Sequence, residues 1–105
     1  MELKAIQTKC HQLAKEAGWW NEPRNKGELI ALIHSELSEA LEALRNNNRQ
    51  ELDKPWRKDT FEDELADTII RIFDFASSED INLEKFILLK LEYNKTRPQK
   101  HNKQF

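Results

Sequence analysis

Apolar residues recur at helical spacing through nearly the whole of this 105-residue chain, and that periodicity restricts the fold more than any other feature. Leu3, Ile6, Cys10, Leu13 and Ala17 share one helical face, and Gly18 is placed to stop the helix. After the loop WWNEPRNKG, a second helix is predicted from about Lys26 to Arg45, with Leu29, Ile30, Ile33, Leu37, Ala40, Leu41 and Leu44 as its stripe. The sequence NNN ends it, because asparagine tolerates left-handed backbone. Residues 46–59 read as irregular, and Pro55 discourages helix there. Thr60 and Asp63 form a variant capping box that opens a third helix through Phe61, Leu65, Ile69, Ile72, Phe73 and Ala76. Asn82 is placed to cap a fourth, which uses Phe86, Leu89 and Tyr93 before Pro98 stops it. Strand signals are nearly absent. Four helices with two longer connections imply one all-α domain over residues 1–105, of the four-helix-bundle type.

Charged residues make up 34% of the chain and apolar ones 38%, which leaves a modest core. Chains with so little to bury are expected to complete their burial by oligomerising, here as a homodimer or tetramer. The formal charge of −2 argues neither for a nucleic-acid binder nor for an acidic disordered tail, and nucleic acid is not expected as a partner because the one positive segment is short. Its distribution is more informative. Carboxylates concentrate mid-chain, whereas LKLEYNKTRPQKHNKQF carries Lys90, Lys95, Arg97, Lys100, His101 and Lys103 against Glu92 alone. A metal-bound polyphosphate would satisfy both the negative centre and this positive end. A single cysteine, Cys10, permits no internal disulfide and fits a reducing compartment. No apolar run approaches the roughly 20 residues of a membrane span, and MELKAIQTKC has no signal-peptide core, so no membrane partner and a cytoplasmic location are expected.

Glutamates occur where a plain core helix does not need them. In HSELSEALEAL, Glu36 lies about 80° from the centre of the apolar stripe at about 100° per residue, flanked by Leu29, Leu32 and Ala43. Glu39, one turn on, shares its face. The third helix repeats the design, with Glu64 beside Thr68 and Phe75 and Asp67 one turn beyond. Two such helices side by side gather four carboxylates at the margin of a core. Their mutual repulsion is relieved by a divalent cation, and all-oxygen ligation suits Mg²⁺ or Mn²⁺. The same spacing also fits a solvated charge face. Di-iron bundles need a Glu-x-x-His pair on two helices. Here the residues three after Glu36 and Glu64 are Glu39 and Asp67, which favours phosphate chemistry over redox chemistry.

From Trp19 to the C-terminus, GELIALIHSELSEALEALR, then FEDELADTIIRIFDFA, then the KLEYNKTRP tail resemble the MazG family of all-α nucleoside triphosphate pyrophosphohydrolases. Glu36 and Glu39 match the E-x-x-E half of that family's signature, and Glu64 and Asp67 match the E-x-x-D half. The resemblance implies a Mg²⁺-dependent hydrolase that cleaves a nucleoside triphosphate between the α and β phosphates, releasing monophosphate and pyrophosphate. It also implies a helical core assembled from at least two chains. Lys90, Asn94 and Arg97, at i, i+4 and i+7, resemble the family's K-x-x-x-N-x-x-R run near the substrate phosphates. A basic helix end that complements the helix dipole is the plainer account of the same residues.

Trp19, Trp20 and Trp56 fall in or beside predicted loops, where a large ring is harder to assign to the core. Nucleobase stacking would use such a ring, with Trp20 the first candidate; capping the bundle or filling a subunit interface is the alternative. The Trp56 connection is placed to close over substrate, from the same or a neighbouring chain. Ile70, about 180° from Phe61, and Phe75 give the third helix apolar residues on more than one side, as expected of a helix with neighbours from a second subunit. The contrasting expectation is a catalytically inactive interaction module, its acidic faces and basic tail serving partners instead of substrate.

Overall fold

The computed structural model describes residues 2–97. Within them the chain forms four helices and no strand: α1 (Leu3–Glu16), α2 (Lys26–Arg45), α3 (Phe61–Ser78) and α4 (Leu83–Thr96). Pro98, Lys100, His101 and Lys103 lie outside the described residues.

The ends of the helices follow local chemistry. Gly18 takes φ +90° after α1, and Asn47 takes φ +53° after α2. Both conformations cost a residue with a bulky side chain more than they cost these two. Thr60 accepts a hydrogen bond from the Asp63 N–H at 3.1 Å, and Asn82 accepts one from the Lys85 N–H at 3.2 Å. The Asp63 carboxylate does not complete a capping box with Thr60; it accepts instead from the Asp59 N–H at 2.8 Å and from the Trp56 indole at 2.9 Å. Trp56 is thereby tied to the start of α3, although its ring remains exposed.

Helices α2 and α3 run antiparallel. Lys26 at the start of α2 pairs with Glu79 just past α3, and the Phe61 N–H at the start of α3 donates to the Asn48 carbonyl beyond α2. The irregular connection is fastened at the same end. Arg49 and the Gln50 N–H both donate to the Glu62 carboxylate, at 2.7 and 2.8 Å, and the Asn48 amide donates to the Asp59 carbonyl at 2.8 Å. These bonds fix the register in which α2 meets α3. Helix α1 lies along the later part of α3, where Gln7 donates to Ser77 and His11 meets Asp74. Helix α4 meets α1 chiefly at its own beginning, where Glu84 accepts from the Lys4 N–H, and Gln7 donates to the Ile81 carbonyl just before it.

The buried apolar core is small: Leu29, Ala40, Ala43, Phe73 and Ala76. Alanines on the facing surface let α2 approach α3 closely. Of the apolar stripe expected to fill the core, Leu29 and Ala40 are buried and Ile33 is half-buried, but the rest is not. Ile30, Leu37, Leu41 and Leu44 are each nearly half exposed, and the buried line of α2 is Leu29, Glu36, Ala40 and Ala43, about 100° around the helix. Glu36 therefore stands in the middle of the α2–α3 contact and not at its rim. Leu65 and Ile69 of α3 are uncovered likewise, as are Phe86, Leu88, Leu89, Leu91 and Tyr93 of α4.

Candidate functional site

The antiparallel register brings the middle of α2 opposite the first turns of α3. Glu36, Glu64 and Asp67 each offer a carboxylate oxygen there, and the three oxygens lie within 4.8 Å of one another. Glu36 and Glu64 are buried, at 8% and 5% exposure, and Asp67 is intermediate. Glu39 is exposed and stands outside this closest group. Its charge nevertheless acts on both Glu64 and Asp67.

Electrostatic strain marks the cluster. Burial, followed by the charges of Glu39, Glu36, Asp63 and Asp67, pushes the Glu64 carboxyl up to about 7 from an ordinary 4.5. Burial also raises Asp67, with Asp63 and Glu36 adding to the rise and Arg71 opposing it. Among the described residues, no side chain or backbone N–H donates to Glu64; the one cation paired with the cluster is Arg71, whose Nε donates to Glu36 Oε1 at 3.1 Å. Three buried or half-buried carboxylates answered by one guanidinium leave negative charge uncompensated, and a hard divalent cation bound through oxygen fits this donor set. Among the described residues, neither histidine nor cysteine joins the group, a donor set less suited to zinc and redox metals than to hard cations.

A groove of about 640 Å³ opens beside the cluster, between α1 and α3. Ile6, Cys10, Leu13 and Ile70 give it apolar walls; Trp19 lines it, and Asp67, Arg71 and Asp74 bring polar groups to it. Burial and the nearby Asp74 charge raise the Cys10 thiol above its ordinary value, so that thiol serves as wall and not as nucleophile. Ile70, expected at a subunit contact, stands in this groove.

Trp20 has another environment. Its indole N–H donates to Asp74 Oδ1 at 2.9 Å, His11 Nδ1 meets the same oxygen at 2.7 Å, and the two rings stand edge to face with centroids 5.4 Å apart. This network fastens the loop after α1 onto α3. It turns the neighbouring ring, Trp19, to the groove, where the Arg71 guanidinium lies 5.3 Å from the ring centroid. Lys90 and Asn94 are exposed on α4, whereas Arg97 is exposed just past its end in extended backbone, so the three do not share the one helical face expected of them; Lys90 and Arg97 both lie over Tyr93. No hydrogen bond or ion pair joins any of the three to the acidic cluster within the chain.

Sequence reasoning named the carboxylates and missed Arg71 beside them, as well as the His11–Asp74–Trp20 network behind the groove. Arg71 carried a signal: it follows Asp67 by four residues, so it shares that residue's face of α3. His11 and Asp74 are distant in sequence and meet only through the packing of α1 on α3.

No protein family, curated protein or solved structure was found to match this chain.

Proposed function

We propose that the chain is a Mg²⁺-dependent nucleoside triphosphate pyrophosphohydrolase of the MazG type, acting in nucleotide-pool control or housecleaning. The observation that carries this reading is the convergence of Glu36, Glu64 and Asp67 within 4.8 Å, next to a groove walled by an aromatic ring. Glu36, Glu64 and Asp67, with Glu39 beside them, would hold Mg²⁺, or Mn²⁺ in its stead. The cation would supply charge neutralisation for the triphosphate and orientation of the attacking water. The apolar groove would exclude solvent from the base and Trp19 would stack on it. One of these carboxylates would also accept the proton of the water that attacks the α phosphorus.

The acidic cluster belongs to a chain whose core is incomplete alone. The uncovered faces of α2, α3 and α4 support assembly as a homodimer or tetramer, in which Lys90, Asn94 and Arg97 would reach the site of a neighbouring copy. Among the described residues no helix is long and apolar enough to cross a membrane.

The test is a panel of ribo- and deoxyribonucleoside triphosphates, canonical and modified, with Mg²⁺ and quantified products. Monophosphate and pyrophosphate in equal amounts are expected; orthophosphate without pyrophosphate contradicts the assigned bond. The uncovered apolar faces also suit an interaction module without activity. Calorimetric titration with Mg²⁺ and a non-hydrolysable triphosphate analogue separates the two, since the module binds neither.

A further inference from the structure

Arg71 stands where the carboxylates meet the groove. Its Nε donates to Glu36, its guanidinium faces the Trp19 ring, and the side chain is 28% exposed. That single bond uses one of the five N–H donors of an arginine fork. Among the described residues, no other acceptor meets the remaining four. The side chain thus has two anchors, a carboxylate on the cluster side and an indole on the groove side, and a planar edge left over.

A guanidinium and a divalent cation cannot both hold Glu36 at full strength. The carboxylate charge satisfies whichever is closer, and two cations at such range repel. A cation bound among Glu36, Glu64 and Asp67 therefore weakens the hold of Glu36 on Arg71. The displaced guanidinium remains at the mouth of the groove because the Trp19 ring keeps it there. An incoming triphosphate brings to this place the oxygens that a two-pronged donor binds best.

We propose that Arg71 is an exchangeable cation, paired with Glu36 while the acidic cluster holds no metal and transferred to phosphate oxygens of the nucleotide once a divalent cation takes over Glu36. This rests on the function proposed above and adds to it a substrate-binding residue that couples the metal to the nucleotide. The exchange makes metal alone a poor ligand and metal with nucleotide a good one, because only the nucleotide compensates the guanidinium that the metal displaces.

Three proteins decide the matter: wild type, Arg71→Gln and Arg71→Lys. With Mg²⁺ alone, calorimetry is expected to show Arg71→Gln binding about tenfold more tightly than wild type, as removal of a unit positive charge several ångströms away implies. Arg71→Lys keeps the charge and stays near wild type. With Mg²⁺ and a non-hydrolysable triphosphate analogue the order reverses: Arg71→Gln binds at least about tenfold more weakly, and Arg71→Lys recovers part of the loss. In the wild type, which needs no variant to fold, the Arg71 Nε–H resonance shifts on addition of Mg²⁺ and shifts again with the analogue. An Arg71→Gln protein whose Mg²⁺ affinity is no higher than wild type, or a resonance indifferent to metal, overturns the exchange. A wild type that binds no Mg²⁺ even with the analogue present overturns the metal site and the exchange together, whereas one that binds Mg²⁺ and releases pyrophosphate alongside an unaltered variant overturns the exchange alone.

Discussion

Glu64→Gln should stabilise the metal-free protein near pH 8 while abolishing its response to Mg²⁺. A carboxyl raised in the folded state from 4.5 to about 7 is an acid that the fold prefers neutral. Its penalty is absent below about pH 4.5, grows as pH rises through the folded value, and is complete above about pH 7. At 1.36 kcal/mol per unit this is about 3 kcal/mol before screening, and about 1–2 kcal/mol once counter-ions and water at the cluster's open side are allowed for. For a domain of this size that is a Tm difference of about 5–10 °C. Asp67, raised as well, acts in the same direction. Glu62 is lowered by the Gln50 N–H and by Arg49, so its contribution is lost only as pH falls into the acid range, outside the window used. The assay is thermal unfolding of both proteins from pH 5.5 to 8 in chelator, at one protein concentration. The variant should exceed wild type at pH 8, and the gap should close toward pH 5.5. Millimolar Mg²⁺ should raise the wild-type Tm at pH 8, less so at pH 5.5, and leave the variant unmoved. A variant less stable than wild type at pH 8, or a gap that widens toward acid, refutes the reasoning.

The other carboxylates, the groove and the uncovered faces give further expectations. Glu39→Gln and Asp67→Asn should each lower turnover on the order of a hundredfold or more with unchanged far-ultraviolet dichroism, as measured by pyrophosphate release. Trp19→Ala should raise KM more than it lowers kcat. Trp20→Phe should instead cost about 1–3 kcal/mol in urea unfolding, because it deprives Asp74 of a donor. Leu37→Glu with Leu41→Glu should convert an oligomer into a monomer in sedimentation. The six half-exposed residues Ile30, Leu37, Leu41, Leu44, Leu65 and Ile69 offer about 4–9 kcal/mol of further burial, comparable to the entropic cost of association.

Helix existence was legible in the sequence because each boundary carries its own chemistry: Gly18, Asn47, Thr60 and Asn82 act on backbone groups within a few residues. The carboxylates were legible because an i, i+3 pair shares a face on any helix, wherever that helix packs. What faces what was not legible. Periodicity reports the most apolar side of α2, and on this chain only its edge, Leu29 and Ala40, is buried, while Ile30, Leu37, Leu41 and Leu44 are uncovered. A helix that contributes both to a metal site and to a subunit contact has two faces to bury. The face toward α3 must accept carboxylates and close approach, so it carries Glu36, Ala40 and Ala43 in place of large apolar side chains. The largest residues are then left for the other face, where the proposed assembly would supply the complement. The displacement of Glu36 from rim to centre is thus the same fact as the exposure of Leu37 and Leu41. It binds the proposed chemistry to the proposed assembly: a variant that lets α2 rotate its apolar stripe onto α3 would fill the monomer's core and pull Glu36 away from Glu64.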